Sequence, residues 1–199
     1  MIQDCQEVYV PQVLKEEVRD GLVAAASEVF FAKGFARARL ADIASRAGVS
    51  TGLAYSYFKN KEALFQTVIS PLPLDFEAIA HEEEAIEKGS PFDKYKEVAA
   101  GYIETILRHH REFVILIDKS QGTAYEGAKE SLIASVQSHI EREFIKNKKG
   151  PYPALLPHIL ASNFVAGLLE IARHYESPEQ ARELLGLVIG CYYKGVNSL

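Results

Sequence analysis

The chain has 199 residues, of which 48% are hydrophobic and 25% are charged, which is typical of a globular protein. Its net charge is −5, and its two cysteines, Cys5 and Cys191, are too few for a disulfide framework and favour a reducing cytoplasm. It has no apolar run close to the roughly 20 residues of a membrane span, and its acidic N-terminus does not resemble a signal peptide. We therefore expect a cytoplasmic protein with no membrane partner.

Apolar residues recur at helical spacing through nearly all of the sequence. A first helix is predicted from about Gln12 to Lys33 and ends at Gly34, because a cation followed by glycine is a common helix end. The only candidate strands are Val8–Val10 and Phe113–Ile117, and two isolated strands do not form a sheet. The pattern predicts an all-α protein.

The segment from Leu40 to Leu64 predicts two short helices joined by a glycine turn. Gly48 can adopt the left-handed conformation that ends the first helix, and Ser50 is placed to cap the second. Asn60 is placed to cap a further helix, which we expect to end near Ser70 because prolines follow. Helix, glycine turn and helix is the arrangement that inserts a second helix into the major groove of DNA.

Proline, glycine and capping residues divide the remaining chain into further helices, about nine in all. The boundaries fall at Gly89-Ser90-Pro91, at Gly150-Pro151 and at Ser177-Pro178. The last two helices are apolar over a wider arc than a surface helix needs, which favours coverage by a second subunit over a place at the centre of a single bundle. The residues predicted for this homodimer interface are Leu168, Leu184, Leu187, Val188 and Cys191.

The charge distribution is more informative than the total. Between Lys33 and Lys61 the sequence has six basic residues and only Asp42 as an acid, whereas residues 71–199 carry a net charge of −5. A positive segment on an acidic chain is typical of a DNA-binding domain, although a mixed solvated surface often produces such a window too.

The segment around the glycine turn resembles the TetR family of bacterial regulators over about Val18 to Phe65, close to a quarter of the chain. The shared pattern at fixed spacing comprises FAKGF at Phe31–Phe35, DIA at Asp42–Ala44, AGVS at Ala47–Ser50, then Gly52, Tyr55, YFK at Tyr57–Lys59, Lys61-Glu62 and Leu64. The resemblance implies an N-terminal three-helix helix-turn-helix head and a C-terminal helical ligand-binding and dimerisation domain. The implied boundaries are 1–14 for a tail, 15–70 for the DNA-binding domain and 71–199 for the rest.

The resemblance also implies which residues meet DNA. Ser50 to Leu53 lie where the family's recognition helix meets base edges and backbone, while aromatic and lysine positions after them meet phosphates. The implied DNA-binding residues are Arg39, Ser50, Thr51, Gly52, Leu53, Tyr55, Tyr57 and Lys61.

Three of these residues depart from the family pattern. Thr51 replaces a frequent lysine, Leu53 replaces a small polar residue, and Arg39 replaces a threonine that often caps the second helix. Leu53 suits contact with a thymine methyl group. These departures leave the operator sequence open.

A pocket for an unidentified small-molecule effector in the C-terminal domain is a further implication of the family. The candidates for its lining are Tyr95, Tyr102, Ile106, Phe113, Phe144 and Phe164, although for any single one of them a place in the ordinary core is the better expectation. Glu170 and His174, four residues apart, either pair with each other or mark a polar floor of the pocket.

We find no catalytic motif, phosphate loop or metal-ligand spacing, and expect no enzymatic activity, cofactor or metal. His81 beside Glu82–Glu84 is interpreted as part of a solvated acidic face, and His139 as isolated. The expected function is a ligand-responsive regulator, a repressor that binds a nearly palindromic operator as a homodimer. Two alternatives stay open: a ligand-binding or scaffold dimer whose head has lost DNA binding, and a small helical enzyme.

Overall fold

The computed structural model describes residues 15–89, 91–142 and 152–197, and these ranges contain eleven α-helices. Four helices form the N-terminal head: α1 (Glu16–Lys33), α2 (Leu40–Arg46), α3 (Thr51–Tyr57) and α4 (Lys61–Ile69). Seven form the body: α5 (Phe76–Glu84), α6 (Pro91–Glu97), α7 (Ala99–Arg108), α8 (His110–Asp118), α9 (Ala128–Ile140), α10 (Leu156–Arg173) and α11 (Pro178–Asn197).

The all-α prediction is confirmed, and the helix count exceeds the expected nine for a local reason. The helix is interrupted by a turn at Val98 and again at His109, where the backbone leaves the helical region, so one long apolar pattern is split into α6, α7 and α8. Phe113 to Ile117, a candidate strand, lies inside α8. The other candidate strand, Val8–Val10, together with Ser90 and Gly150-Pro151, lies outside the described residues.

The predicted helix ends at Gly34 and Gly48 and the predicted caps at Ser50 and Asn60 are confirmed, whereas α1 begins at Glu16 and not at the predicted Gln12. Gly34 and Gly48 have φ angles of 74° and 70°, in the left-handed region where a residue with a Cβ is strained. The Ser50 hydroxyl accepts from the Leu53 amide at 3.1 Å, and the Asn60 side chain accepts from the Ala63 amide at 2.8 Å. Helix α4 ends at Ile69 with Ser70 as its C-cap.

An aromatic cluster forms the centre of the head. The rings of Phe30, Phe35 and Phe65 lie 5.3 to 5.8 Å apart between centroids, at the tilted and edge-on angles that aromatic pairs prefer. Phe30 and Phe65 are completely buried. Phe65 also lies 6.1 Å from the ring of Tyr125 in the body, so the cluster continues across the boundary between the two parts.

Helix α10 is central to the body, where it packs against α8, α9 and α11. Its inward face carries small and branched residues that are almost completely buried: Ala161, Val165, Leu168, Leu169 and Ala172. None of the helices within the described ranges is long and apolar enough to cross a membrane.

Helix α8 connects the head to the body, since it packs against α1 and α4 as well as α9 and α10. The Ser27 hydroxyl of α1 donates to the Glu112 carboxylate at 3.0 Å, and the Phe35 amide donates to the Lys119 carbonyl at 2.8 Å. The head therefore rests on the body through both apolar packing and hydrogen bonds.

The buried cluster gives the first testable prediction. We expect Phe65→Ala to lower the free energy of unfolding by about 3–5 kcal/mol, because it removes a fully buried ring and leaves a cavity. Leu74→Ala, a side chain that is 40% exposed between the head and the body, is the control and should change stability by less than about 0.5 kcal/mol. Urea unfolding measures both variants, and equal effects would contradict the packing described for Phe65.

Candidate nucleic-acid interface and effector cavity

Helix α3 is the second helix of the helix-turn-helix and presents its N-terminal half to solvent. Ser50, Thr51, Gly52 and Tyr55 are exposed, with Tyr55 56% accessible, and Leu53 is half-buried. Ala54 and Phe58 point inward and anchor the helix on the head's core. The amides of a helix N-terminus, a hydroxyl cap and an exposed tyrosine are groups that bind phosphate oxygens and base edges.

The side chain of Tyr57 is held by a hydrogen bond from the start of α1. Its hydroxyl oxygen accepts a hydrogen bond of 2.8 Å from the Lys15 amide at the start of α1, and its ring is partly buried. The hydroxyl proton is still available for donation to a phosphate. Tyr57 therefore ties α3 to the start of α1.

Lys61 lies in a different setting from the one that the resemblance implies. Its ammonium donates to the carbonyl oxygens of Phe35 and Ala38 at 2.6 and 2.9 Å, and lies 4.0 Å from the centroid of the Phe35 ring. Partial burial lowers the pKa of its amine. The side chain thus holds the α1–α2 loop against α4.

Two other basic residues lie exposed near α3. Lys59 follows the helix directly, and Arg39 precedes α2 without making a side-chain cap. Neither forms an ion pair with any residue that the structure describes, whereas Lys33 pairs with Asp42 and Arg46 pairs with Glu28. Lys59 was absent from the predicted DNA-binding set, although its place directly after the recognition helix was the available signal.

A largely apolar cavity of about 110 Å³ lies inside the body among α5, α6, α7, α9, α10 and α11. Four of the six predicted pocket residues line it: Tyr95, Tyr102, Ile106 and Phe164. Phe113 does not, because its side chain is completely buried in the core, and Phe144 lies outside the described residues. Most of the remaining lining is aliphatic or aromatic.

Charged residues at this cavity correct two sequence-based interpretations. Glu83, assigned to a solvated acidic face, is only 5% exposed and lines the cavity, and His139, assigned as isolated, bridges Glu83 and Glu84. The signal for Glu83 was its spacing, since it follows Phe76 and Ile79 by seven and four residues on one face of α5. Glu170 and His174 form an exposed surface pair outside the cavity lining, so they are not a polar floor.

A second cavity of about 310 Å³ lies between α7 and α11, and Tyr95 lines both cavities. Its walls include Leu107, Leu185 and Ile189, and an exposed ion pair between Arg182 and Glu104 stands at its edge at 2.8 Å. Its charged groups are solvent-exposed, unlike those of the first cavity.

The last two helices carry exposed apolar side chains. Leu187 on α11 is 63% accessible, Leu184 is 36% accessible, and Ile159 on α10 is 44% accessible. Cys191 is also exposed, and added Cβ atoms at Gly186 and Gly190 would meet no atom within 4 Å.

Two of the predicted interface residues have contacts inside the protomer. Leu168 is only 3% exposed because it points into the body and lines the cavity, so its assignment to the dimer interface was wrong. Val188 packs against α10 at Gly167, where a Cβ would lie 3.3 Å from its methyl group.

Known proteins are similar to this chain in the sequence of its head and in its fold. Residues 22–68 match the family described as bacterial regulatory proteins, tetR family. The HTH-type transcriptional regulator TtgR of Pseudomonas putida is 36% identical over 76 residues, which are 38% of this chain and 36% of that protein. The chain thus spans about a third of the length of such curated relatives.

Solved structures extend the likeness to the body. A TetR-like transcriptional regulator from Rhodococcus sp. RHA1 superposes with a TM-score of 0.60 at 20% identity, over 94% of this chain and 100% of that one. NalD, the secondary repressor of the MexAB-OprM multidrug efflux pump in Pseudomonas aeruginosa, superposes with a TM-score of 0.54 at 22% identity, over 87% and 94%. Fold and head are thus similar to those of bacterial helix-turn-helix regulators. The family match covers residues 22–68, and over the body the likeness is one of fold.

The setting of Lys61 yields a prediction with a matched control. Lys61→Met keeps the aliphatic stem but removes the ammonium, so two carbonyl oxygens lose a charged donor and the free energy of unfolding should fall by about 1–3 kcal/mol. Lys59→Met should leave stability unchanged, and should reduce the salt slope of DNA affinity by about 1 if it meets a phosphate. Unchanged stability with a reduced salt slope in Lys61→Met would instead place Lys61 on the DNA.

The pairing of His139 predicts a pH dependence of stability. Burial lowers the pKa of His139, but the carboxylates of Glu83 and Glu84 outweigh burial and raise it above its usual value. The stabilisation is therefore complete below the unfolded-state pKa of about 6.5 and is lost as the pH rises through the folded-state pKa.

We expect the difference in unfolding free energy between the native chain and His139→Gln to be largest near pH 6 and to shrink towards about pH 9. The exposed His174, which pairs only with Glu170 at the surface, supplies the control variant His174→Gln, with a small effect at every pH. A His139→Gln difference that stays constant over this range would contradict the charged state of His139.

Proposed function

We propose that this protein is a ligand-responsive, DNA-binding transcriptional regulator that acts as a repressor and binds a nearly palindromic operator as a homodimer. The observation that carries the proposal is the exposed, Ser50-capped N-terminal half of α3 within a head that matches the TetR family over residues 22–68. Repression is proposed because the names of similar proteins such as NalD state it.

Within the proposal, residues 15–70 are the DNA-binding domain and residues 71–199 are the ligand-binding and dimerisation domain. The boundary is the link from Ser70 to Asp75, where α4 ends and α5 begins. Two heads on one dimer would place their recognition helices in successive major grooves about 34 Å apart, which is why we expect a nearly palindromic operator.

The two domains communicate through α5 in this proposal. Helix α5 follows α4 directly in the chain and forms a wall of the apolar cavity through Phe76, Ile79 and Glu83. A ligand that displaces α5 therefore displaces the end of α4 and alters the spacing of the two heads. It changes DNA affinity only if it binds one spacing better than the other.

DNA binding is tested by fluorescence anisotropy on the DNA upstream of the protein's own gene, against a scrambled duplex of equal length, at two salt concentrations. We expect tighter binding to the upstream DNA with two protomers per site. Tyr55→Ala should weaken binding to all sequences, because Tyr55 is positioned for the backbone, whereas substitutions at Thr51 or Leu53 should change which sequence is preferred. Weak and equal binding of the native chain to a broad set of duplexes would favour a ligand-binding dimer without DNA function.

The proposed dimer uses the exposed apolar face of α10 and α11. A charged arginine at the 63% exposed position 187 would have to be buried between subunits, so Leu187→Arg should convert the dimer to monomers and weaken operator binding at least about tenfold. Sedimentation velocity and the anisotropy assay measure these two effects.

Leu74→Arg is the matched control, since Leu74 is also an exposed leucine but lies in the link between α4 and α5. It should stay dimeric. A Leu187→Arg variant that remains a dimer would show that another surface forms the interface.

A further inference from the structure

The apolar cavity of the body contains a buried carboxylate. Glu83 is 5% exposed and lies at the cavity among aromatic and aliphatic side chains of α6, α9 and α11. A carboxylate in apolar surroundings costs free energy unless it is paired and hydrogen-bonded. The charged groups that contact Glu83 therefore determine which class of ligand the cavity favours.

The positive groups near Glu83 are shared with other acids. His139 lies between two carboxylates, with Nε2 3.4 Å from Glu83 and Nδ1 3.0 Å from Glu84. The Arg142 guanidinium contacts both oxygens of Glu84, at 2.8 and 2.9 Å, and also Glu77 at 3.2 Å. Among the residues that the structure describes, three carboxylates thus face two cations in this cluster, and one negative charge is left over.

The exposed His81 contacts Glu77 at 3.3 Å and Glu84 at 3.4 Å on the solvent side of this cluster. It is not among the residues that line the cavity. Water and salt screen its charge more than they screen the buried groups, so it does not supply Glu83 with a cation.

Tyrosine rings surround the same end of the cavity. Tyr193 lies 5.7 Å from Tyr95 and 5.3 Å from Tyr192 between ring centroids. Burial and the nearby Glu83 charge raise the pKa of all three hydroxyls, that of Tyr95 to about 12. The Glu83 charge thus adds a negative contribution to the field at these side chains, and aromatic faces themselves attract cations.

We propose that this cavity binds a small lipophilic cation, an aromatic or alkyl amine in its protonated form, with Glu83 as the counter-charge and the tyrosine rings as the wall. The inference rests on the proposed function, because it names the chemical class of the effector for that cavity. A volume of about 110 Å³ suits a group near the size of a benzyl ring.

An anionic ligand is disfavoured by the same contacts. Among the described residues that line the cavity, its only cationic partner is His139, both of whose ring nitrogens already face carboxylates. The Glu83 carboxylate would also repel it, and the described lining of the cavity offers no negatively charged group whose displacement would offset that repulsion. A neutral hydrocarbon would gain the apolar contacts alone.

The test uses three probes of matched shape: benzylammonium as the cation, ethylbenzene as its neutral isostere and phenylacetate as the anion. Calorimetric titration of the full chain gives each Kd near pH 7.5. We expect benzylammonium to bind at least about tenfold more tightly than phenylacetate. Tighter binding of phenylacetate, or no difference between the two ions, would overturn the proposal without any variant.

Glu83→Gln then tests the counter-charge. Removing one partner of a desolvated ion pair should weaken benzylammonium binding about thirtyfold, while the Kd of ethylbenzene changes less than about threefold. Glu87→Gln, an exposed acid just after α5 that is not part of the lining, is the matched control and should leave all three affinities unchanged. An unchanged benzylammonium affinity in Glu83→Gln would place the cation elsewhere, for example in the second cavity, and overturn the assignment.

These titrations are made without DNA, so the two proposals fail separately. A chain that binds benzylammonium through Glu83 but binds no duplex would contradict only the regulator. A chain that binds its operator but prefers the anion would contradict only the cation site.

Discussion

The packing of α8 between head and body is the constraint on which the rest of the structure depends. Five consecutive residues, Phe113 to Ile117, are buried, because the helix meets α1 and α4 on one side and α9 and α10 on the other. A helix that is apolar on every face must be enclosed. The orientation of the head is therefore set by a shared core, and in the proposed dimer the spacing of the two heads changes only when packed elements move against each other.

The head could be predicted almost completely from the sequence because its determinants are local. A glycine that needs a positive φ, a serine cap and an asparagine cap each act within four residues, so Gly48, Ser50 and Asn60 fixed the helix boundaries in advance. Lys61 shows where this reasoning ends. Its partners, the carbonyls of Phe35 and Ala38, lie 26 and 23 residues earlier in the chain, and a family pattern records the lysine but not its contacts.

The charged end of the cavity could not be predicted, because it depends on contacts between distant segments. Glu84 and His139 are 55 residues apart, and the sequence around either residue does not show that α5 and α9 pack together. An acidic run beside a histidine is usually solvated, and Glu82 and His81 are indeed exposed. The three-residue and four-residue spacing of Glu83 from apolar residues on α5 was the one sequence signal that contradicted this interpretation.

The link between α4 and α5 determines how a change at the cavity reaches the head. Pro71 and Pro73 restrict the backbone of the link, which therefore transmits a displacement of α5 where a glycine-rich link would absorb it. Helix α4 cannot shift gradually with α5, because the ring of Phe65 packs against Phe30, Phe35 and Tyr125. Close-packed interiors resist gradual deformation and shift between discrete arrangements. In the proposed regulator, a ligand at α5 therefore favours one arrangement of the aromatic cluster over another, so that the proposed response to an effector and the stability of the head depend on the same three phenylalanines.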